Sequence, residues 1–355
     1  MEHVSTVLSR TMAALPPPVE GSVLADRIRT FPRTLGDLTR LFAAEESLEN
    51  PDTVTALSNL RMTPAGTLEV PGEGRFSFTD WSRRQCASLV GLRWDRWFEN
   101  CSSEDQADEL NRRFARAQGS IRLRTSRTRQ PEPGTNGVLH AFVSPGYSAI
   151  ADSEVAGLAE TVLTPFDAEL RIIRADVTDR STSYVVAVGK PYRIGGPGEV
   201  GDVWGGLLIR NSGVGFASLM MTMHLTRLLC KNGMVAPLLD AVVLRRRHRG
   251  FDGDKLRTLL AERLRELPGR LREGADLLLR SRERRIDATP EIVIRRVLEQ
   301  ADLPQRLAPA IVEAYGEEPD PTAFGISQAM TLAAQRLTPE DRLELERAAS
   351  QYLAN

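Results

Sequence analysis

Hydrophobic positions follow a helical period near both ends of the chain and a strand period in its middle. Between residues 76 and 118 apolar side chains recur every three or four positions, which predicts helices. Thr79 is placed to cap one of them, and Ser102 with Asp105 resembles a capping box. Leu35–Glu46 has the same spacing, but glycine and proline interrupt the other residues up to position 75 and predict an irregular N-terminal arm.

Apolar and polar residues alternate in the middle of the chain. Val138–Val143, Ala168–Val177 and Ser183–Val188 predict strands, the last two joined as a hairpin. Within the second of these, the period of two places Leu170, Ile172 and Arg174 on one side.

A helix and a further strand complete this central region. Asp152–Val162 carries its apolar residues on one helical face, and Val203–Asn211 predicts another strand. Gly195–Gly206 lacks the lysine of a phosphate loop and is interpreted as a hairpin loop. Strand, helix and then a meander of strands predict an α+β fold: an antiparallel sheet meander with packed helices, followed by a helical C-terminal region.

The last hundred residues predict helices. Five leucines recur at intervals of four and three, and Pro268-Gly269 interrupts their stripe; they are Leu256, Leu260, Leu264, Leu267 and Leu271. Thr289-Pro290 and Thr338-Pro339 have the form of helix starts. The sequence therefore divides into an arm at 1–75, an α+β core at 76–250 and a helical region at 251–355.

Composition is that of a globular protein, with 41% hydrophobic and 26% charged residues. The three cysteines are far apart, so neither a zinc knuckle nor a disulfide framework is indicated, and a reducing cytoplasm is the expected setting. The N-terminus lacks the pattern of a signal peptide, and no window reaches the length of a membrane span.

Motifs for catalysis are absent from the sequence. It contains no phosphate loop, no nucleophile elbow and no HExxH, so we predict no catalytic residue, metal ligand or cofactor. His140 and His224 lie in apolar strands and are interpreted as core histidines. An alternative is a metal-dependent nuclease, whose divalent cation would be held by acids from the set Asp176, Asp179, Glu199 and Asp202.

Arginine is the most informative residue type. Only Lys190, Lys231 and Lys255 are lysines among 46 basic residues, although the formal net charge is −1. From 110 to 131 there are seven arginines and no acid: Arg112, Arg113, Arg116, Arg122, Arg124, Arg127 and Arg129. As a strand, this segment would place Arg122 and Arg124 on one face, and guanidinium groups suit phosphate oxygens.

A second cluster ends the apolar strand at 241–244. It consists of Arg245, Arg246, Arg247, His248 and Arg249, and such a concentration of positive charge requires a counter-anion. Arg210 and Arg227 are candidates to line the same groove. The counter-anion is either phosphate or the nearby acids Asp252 and Asp254. For the arginines as a whole, the alternative to phosphate is pairing with the acidic C-terminal region of the chain.

Three stretches carry a resemblance to a known family. They are Ala141–Tyr147 with Asp152 and Val155; Asn211–Gly215 with Arg227–Met234; and Ala323–Leu353. Together they resemble a family of phage- and plasmid-borne bacterial proteins known as a domain of unknown function (DUF 932), over roughly residues 76–355. The resemblance implies the fold unit rather than an activity.

A more distant analogy of fold order links the chain to phage single-strand annealing proteins. Those proteins assemble in rings whose arginine-lined groove holds a strand by its backbone. The leading hypothesis is accordingly a homo-oligomeric single-stranded nucleic-acid-binding protein, with DNA favoured over RNA, serving annealing or recombination in a mobile element. The alternative is an adaptor that binds a protein through its helical C-terminal half, in which case truncation near Asp287 would leave the sheet folded.

Overall fold

The computed structural model describes residues 34–127, 132–165, 170–190, 192–194, 201–227, 234–249 and 253–355, and of residues 192–194, 201–202, 226–227 and 234–241 the backbone alone. Within these residues the chain has the α+β architecture that the sequence predicted, with two mainly antiparallel sheets. None of the described helices combines the length and apolarity needed to cross a bilayer.

The described helices are α1 (Leu35–Glu46), α2 (Asp80–Leu89), α3 (Arg96–Glu99), α4 (Ser103–Phe114), α5 (Asp152–Leu163), α6 (Gly253–Leu264), α7 (Leu267–Glu283), α8 (Pro290–Gln300), α9 (Ala308–Glu317), α10 (Ala323–Ala334) and α11 (Pro339–Ala354). The described strands are β1 (Thr53–Ala56), β2 (Arg61–Met62), β3 (Leu68–Val70), β4 (Gly74–Phe78), β5 (Ser120–Ser126), β6 (Gly137–Val143), β7 (Leu170–Val177), β8 (Thr182–Val188), β9 (Tyr192–Ile194), β10 (Gly201–Asn211), β11 (Leu219–Arg227) and β12 (Met234–Arg246).

The first sheet has the strand order β1-β5-β6-β4-β3-β2, with β4 and β6 parallel. One face packs against α2–α4 around a core that includes Phe76, Leu110 and Leu123. In β5, Ile121 and Leu123 point into this core while Arg122 and Arg124 point to the other face. The predicted period of two is therefore confirmed.

Residues 53–75 are ordered strands rather than an irregular arm. β1, β2 and β3 contain two to four residues each and form both edges of the first sheet. Strands this short have too few alternating positions to produce a recognisable pattern, and β1 pairs with β5, about seventy positions away in sequence.

The second sheet has the order β12-β11-β10-β8-β7, and β9 pairs with β10. One of its faces packs against α1, α5, α6 and α7 in a core that contains Tyr184, Leu207, Met221 and Leu260. The opposite face carries Val185 and Leu208, against which Leu343 of α11 packs. The sheet thus lies between two layers of helices.

Gly205 and Gly206 lie within strand β10, in agreement with the strand predicted at Val203–Asn211, so the hairpin loop interpreted at Gly195–Gly206 does not extend to these two residues. A Cβ on Gly206 would lie 1.8 Å from the carbonyl oxygen of Val186 on β8, and one on Gly205 would lie 2.3 Å from a methyl group of Leu271. Close approach by the neighbouring strand and by α7 explains why glycine occupies both positions.

A register shift between Ile172 and Arg174 changes the face of β7 on which Arg174 lies. The expectation that Arg174 shares a face with Leu170 and Ile172 is therefore wrong, because a bulge inserts one residue into the alternation. Arg174 instead points to α11, where its guanidinium contacts the Glu346 carboxylate at 2.6 Å. Asp176 on the same strand accepts from Arg342 of α11 at 3.0 Å.

The helices α8–α11 have a core of their own, built on residues such as Ile294, Ile311, Met330 and Leu345. Thr338 caps α11 by accepting from the Asp341 amide, in agreement with the predicted helix start. Phe324 and Leu353 extend from these helices into the core of the second sheet. Truncation near Asp287 would remove both side chains and Glu346, the α11 partner of Arg174, so the contacts do not support a sheet that stays intact without this region.

Candidate nucleic-acid interface

The segment from Arg245 to Arg249 follows directly from the edge strand of the second sheet. Arg245 and Arg246 are the last residues of β12 and pair with Met220 and Leu219 of β11. All four arginines are exposed, and they are Arg245, Arg246, Arg247 and Arg249. Among the described residues no carboxylate forms an ion pair with any of them.

His248 anchors this arginine segment. Its ring is only 5% exposed and stacks on Tyr147, with centroids 5.2 Å apart and planes inclined by 16°. Its carbonyl accepts from the Ser148 amide at 3.0 Å, and the Tyr147 hydroxyl donates to the Ser212 carbonyl at 2.8 Å. The four guanidinium groups therefore project from a backbone that is held by the pairing of β12 with β11 and, just after the strand, by His248.

The histidine in this segment is neutral at physiological pH. Burial lowers the pKa of His248, and the nearby Arg124 guanidinium lowers it further. The imidazole therefore serves as a packing group, and the positive charge of the segment comes from its arginines.

Arg122 and Arg124, the leading candidates from the sequence, bind groups within the chain. Arg124 donates to Glu49 at 2.6 Å and to Asp52 at 3.3 Å, and its guanidinium also bonds to the Gly213 carbonyl. Arg122 lies 3.5 Å from Asp52. With only 12% of its side chain exposed, Arg124 joins the two sheets instead of presenting its charge to solvent.

Arg122 also brings the two arginine clusters close together. It donates to the Pro145 carbonyl at 2.5 Å, two residues before the tyrosine that stacks on His248. The arginine segment contacts the same loop, 144–149, because His248 stacks on Tyr147 and accepts from the Ser148 amide. The two arginine clusters therefore meet at this loop. No local pattern indicates this contact, since the clusters lie more than a hundred positions apart.

The other arginines of the first cluster are divided between surfaces. Arg112 and Arg113 both contact Glu109, at 2.8 and 2.6 Å. They lie on α4, which packs on the face of the first sheet opposite to that of Arg122 and Arg124. The ribbon of seven arginines expected from the sequence therefore does not form one surface.

Further predicted residues have different positions. Arg116 and Arg127 are exposed, and Arg127 donates weakly to the Ser47 carbonyl at 3.4 Å. Arg129 and the side chain of Arg227 lie outside the described residues.

Arg210 lies on the face of the second sheet against which α11 packs. Its guanidinium carbon lies 5.4 Å from the ring centroid of Phe216, and its Nε is buried without a hydrogen-bond partner among the described residues. Burial lowers the pKa of Arg210, while the fields of Glu340 and Glu344 act in the opposite direction. No described carboxylate closes an ion pair with it.

The core histidines agree with their interpretation. Burial and then Arg124 lower the pKa of His140 to about 4, and its ring contacts the Ser126 hydroxyl at 2.6 Å. Burial and then Arg174 lower the pKa of His224 to about 3. Both rings are therefore neutral near pH 7.

The acids proposed as nuclease ligands are used for structure where they are described. Asp176 pairs with Arg342, and Asp179 accepts from the Trp81 amide at 2.7 Å. Glu199 and the side chain of Asp202 lie outside the described residues. Within the described part of the chain, no group of three or more histidine, cysteine or acidic side chains is arranged to hold a metal ion.

Sequence reasoning missed the residues that organise this region. Glu49 and Asp52 lie in the stretch interpreted as an irregular arm, and Tyr147 was noted only as part of a motif. A signal was available in Asp52, an acid beside a short β-branched run, but nothing local connects it to Arg124.

No protein-family model, curated protein or solved structure matches this chain.

Proposed function

We propose that this chain binds single-stranded nucleic acid through Arg245, Arg246, Arg247 and Arg249. The proposal is supported by one observation above all: four exposed guanidinium groups without a described carboxylate partner project from a segment that His248 anchors. Guanidinium groups form paired hydrogen bonds to phosphate oxygens, and an anchored backbone reduces the entropy lost on binding. DNA is favoured over RNA as the ligand.

The proposal differs from the sequence hypothesis in its contact residues. Arg122 and Arg124 are assigned to the joint between the sheets, where they support the loop that packs against His248. A wider role as a homo-oligomeric accessory protein in strand annealing or recombination of a mobile element rests on the resemblance and the fold-order analogy alone.

Counterion release supplies a quantitative expectation. Each phosphate neutralised on a single strand contributes about 0.7 to the slope of log affinity against log salt. Four arginine contacts would therefore give a slope of about −3. Binding that stays tight at high salt would contradict this mechanism.

Fluorescence anisotropy of a labelled single-stranded oligonucleotide at low and moderate salt tests the proposal. We expect Arg245→Gln/Arg247→Gln to weaken binding and to reduce the salt slope by about 1.4, since two contacts are lost. Arg112→Gln/Arg116→Gln removes the same charge at the C-terminal end of α4 and just beyond it, and it is the matched control, expected to change affinity little. RNA and duplex DNA of the same sequence establish the preferred ligand.

Two results would overturn the proposal. One is the absence of binding to DNA and RNA at micromolar protein, which would direct attention to a protein partner of helices α8–α11. The other is an equal loss of affinity in the two double variants, because that would show a general effect of net charge.

A further inference from the structure

Arg210 and Arg245 lie in one row across the second sheet. Arg210 of β10 is the register partner of Met220 on β11, and Met220 is the partner of Arg245 on β12. Directly opposed residues point to the same face, and neighbouring strands are about 4.8 Å apart. The two arginine Cα atoms are therefore separated by roughly 10 Å on the face that α11 partly covers.

The Arg210 side chain is half-buried, and no carboxylate among the described residues forms an ion pair with its guanidinium. It packs on Phe216 and leaves its Nε without a bond among the described residues. The neighbouring Arg180, which also approaches the Phe216 ring, is by contrast paired with Asp80 at 3.0 Å. A partly desolvated cation without an ion pair is an energetic cost that an anionic ligand would remove.

The first two turns of α11, which packs on the same face of the sheet as Arg210, contain the acids Glu340 and Glu344. Leu343 packs against Leu208, which shares its face of β10 with Arg210, and Glu344 is the next residue of the helix. Glu340 lies one turn earlier and accepts from Thr178 at 2.9 Å, beside the β7–β8 turn. The charges of Glu340 and Glu344 both act on Arg210, and neither carboxylate forms an ion pair with it.

We propose that Arg210 is a second phosphate-binding position, in line with Arg245, and that Glu340 and Glu344 compete with the phosphate for it. The inference rests on the proposed function and deepens it. A nucleic-acid strand that contacts Arg245 would continue over Met220 toward Arg210. The row of residues across the sheet would therefore set the direction of the sugar-phosphate backbone. The acids of α11 would keep the affinity of the intact chain below what its arginines permit.

The test uses the full chain, the same labelled single-stranded oligonucleotide and the isosteric variant Glu340→Gln/Glu344→Gln, which keeps an acceptor for Thr178. We expect its affinity to rise about tenfold, within the range of ordinary coupling between sites. Glu313→Gln/Glu317→Gln on α9 is the control. It changes the net charge by the same amount, at a site away from the row of Arg210 and Arg245. Arg210→Gln alone should weaken binding, and Arg210→Lys should restore part of it.

The decisive measurement is the double-mutant cycle between Arg210 and the two acids. If the acids compete for Arg210, their neutralisation should increase affinity in the wild-type background and have little effect in the Arg210→Gln background. An equal increase in both backgrounds, or in the α9 control, would overturn the inference. If Arg245→Gln/Arg247→Gln abolishes binding while no Arg210 or α11 variant changes it, the inference fails and the proposed function stands.

Discussion

The ring of His248 lies parallel to that of Tyr147, at a centroid distance of 5.2 Å. This contact connects the arginine segment after β12 to a loop that also contacts Arg122 and the Ser212 carbonyl. The segment that carries four surface charges is thus anchored by one aromatic pair, in which His248 is buried and Tyr147 is half-buried. Removing this stacking contact should change the positions of the four arginine side chains without changing their number.

Replacing Tyr147 tests that connection. Tyr147→Phe keeps the stack and loses the hydrogen bond to Ser212, so the free energy of unfolding should fall by about 1 kcal/mol. Tyr147→Ala also removes the stacked ring, and it should weaken oligonucleotide binding although every arginine is retained. Urea unfolding and anisotropy measure the two effects. An alanine variant that remains folded and binds like the wild type would show that the anchor has no role in binding.

The pair formed by Arg174 and Glu346 is the most buried ion pair between the second sheet and α11, with side chains 8% and 1% exposed. Glu346→Gln would leave the guanidinium with only Asp176 nearby, at 3.2 Å. Removing one partner of a buried pair costs about 3–5 kcal/mol, so we expect a large loss of stability in urea. Arg174→Met/Glu346→Leu should recover much of it.

A change on the surface provides the reference for that loss. Glu291→Gln breaks the exposed pair with Arg295 on α8, which lies at 2.9 Å with both side chains about half exposed. Exposed pairs of this kind contribute well under about 1 kcal/mol. Equal losses in the buried and exposed variants would mean that α11 is not held to the sheet by this pair.

The sequence predicted the class of fold and the elements with long, regular periods. Leu35–Glu46 was predicted as a helix from its spacing, and the arginines of β5 were assigned to one face from alternation. What it could not supply were contacts between distant residues. Arg124 finds Glu49 and Asp52 about seventy positions away, and the bulge at Arg174 has no local signature. Whether an arginine is free for a ligand depends on such contacts.

The glycines of β10 provide a test of strand packing. Gly206→Ala would place a Cβ 1.8 Å from the Val186 carbonyl oxygen, and neither backbone can move without breaking the ladder. We expect a loss of at least about 2 kcal/mol, as for overpacked cores. Gly269→Ala on α7 has no atom within 4 Å of the added carbon and should stabilise the protein by about 0.5–1 kcal/mol. Thermal unfolding measures the stability of both variants. A change in stability of the same sign in the two would contradict this account.

Acidification should destabilise the fold through the two buried histidines. Burial, reinforced by Arg124 at His140 and by Arg174 at His224, lowers their pKa values from 6.5 to about 4 and about 3. Between pH 6.5 and these lowered pKa values, the unfolded chain therefore binds protons at the two histidines that the native chain does not bind. The free energy of unfolding consequently falls as the pH falls through that range. Each histidine contributes up to about 1.4 kcal/mol per pH unit.

The measurement is the free energy of unfolding in urea between pH 7 and pH 4.5, for the wild type and for His140→Gln/His224→Gln. The variant is expected to be less stable at pH 7 because it changes buried side chains, yet its stability should depend less on pH across the window. The slope, and not the absolute stability, is the readout, so a general loss of packing cannot imitate the result. An unchanged slope would mean that the histidines are not the groups that couple protonation to folding.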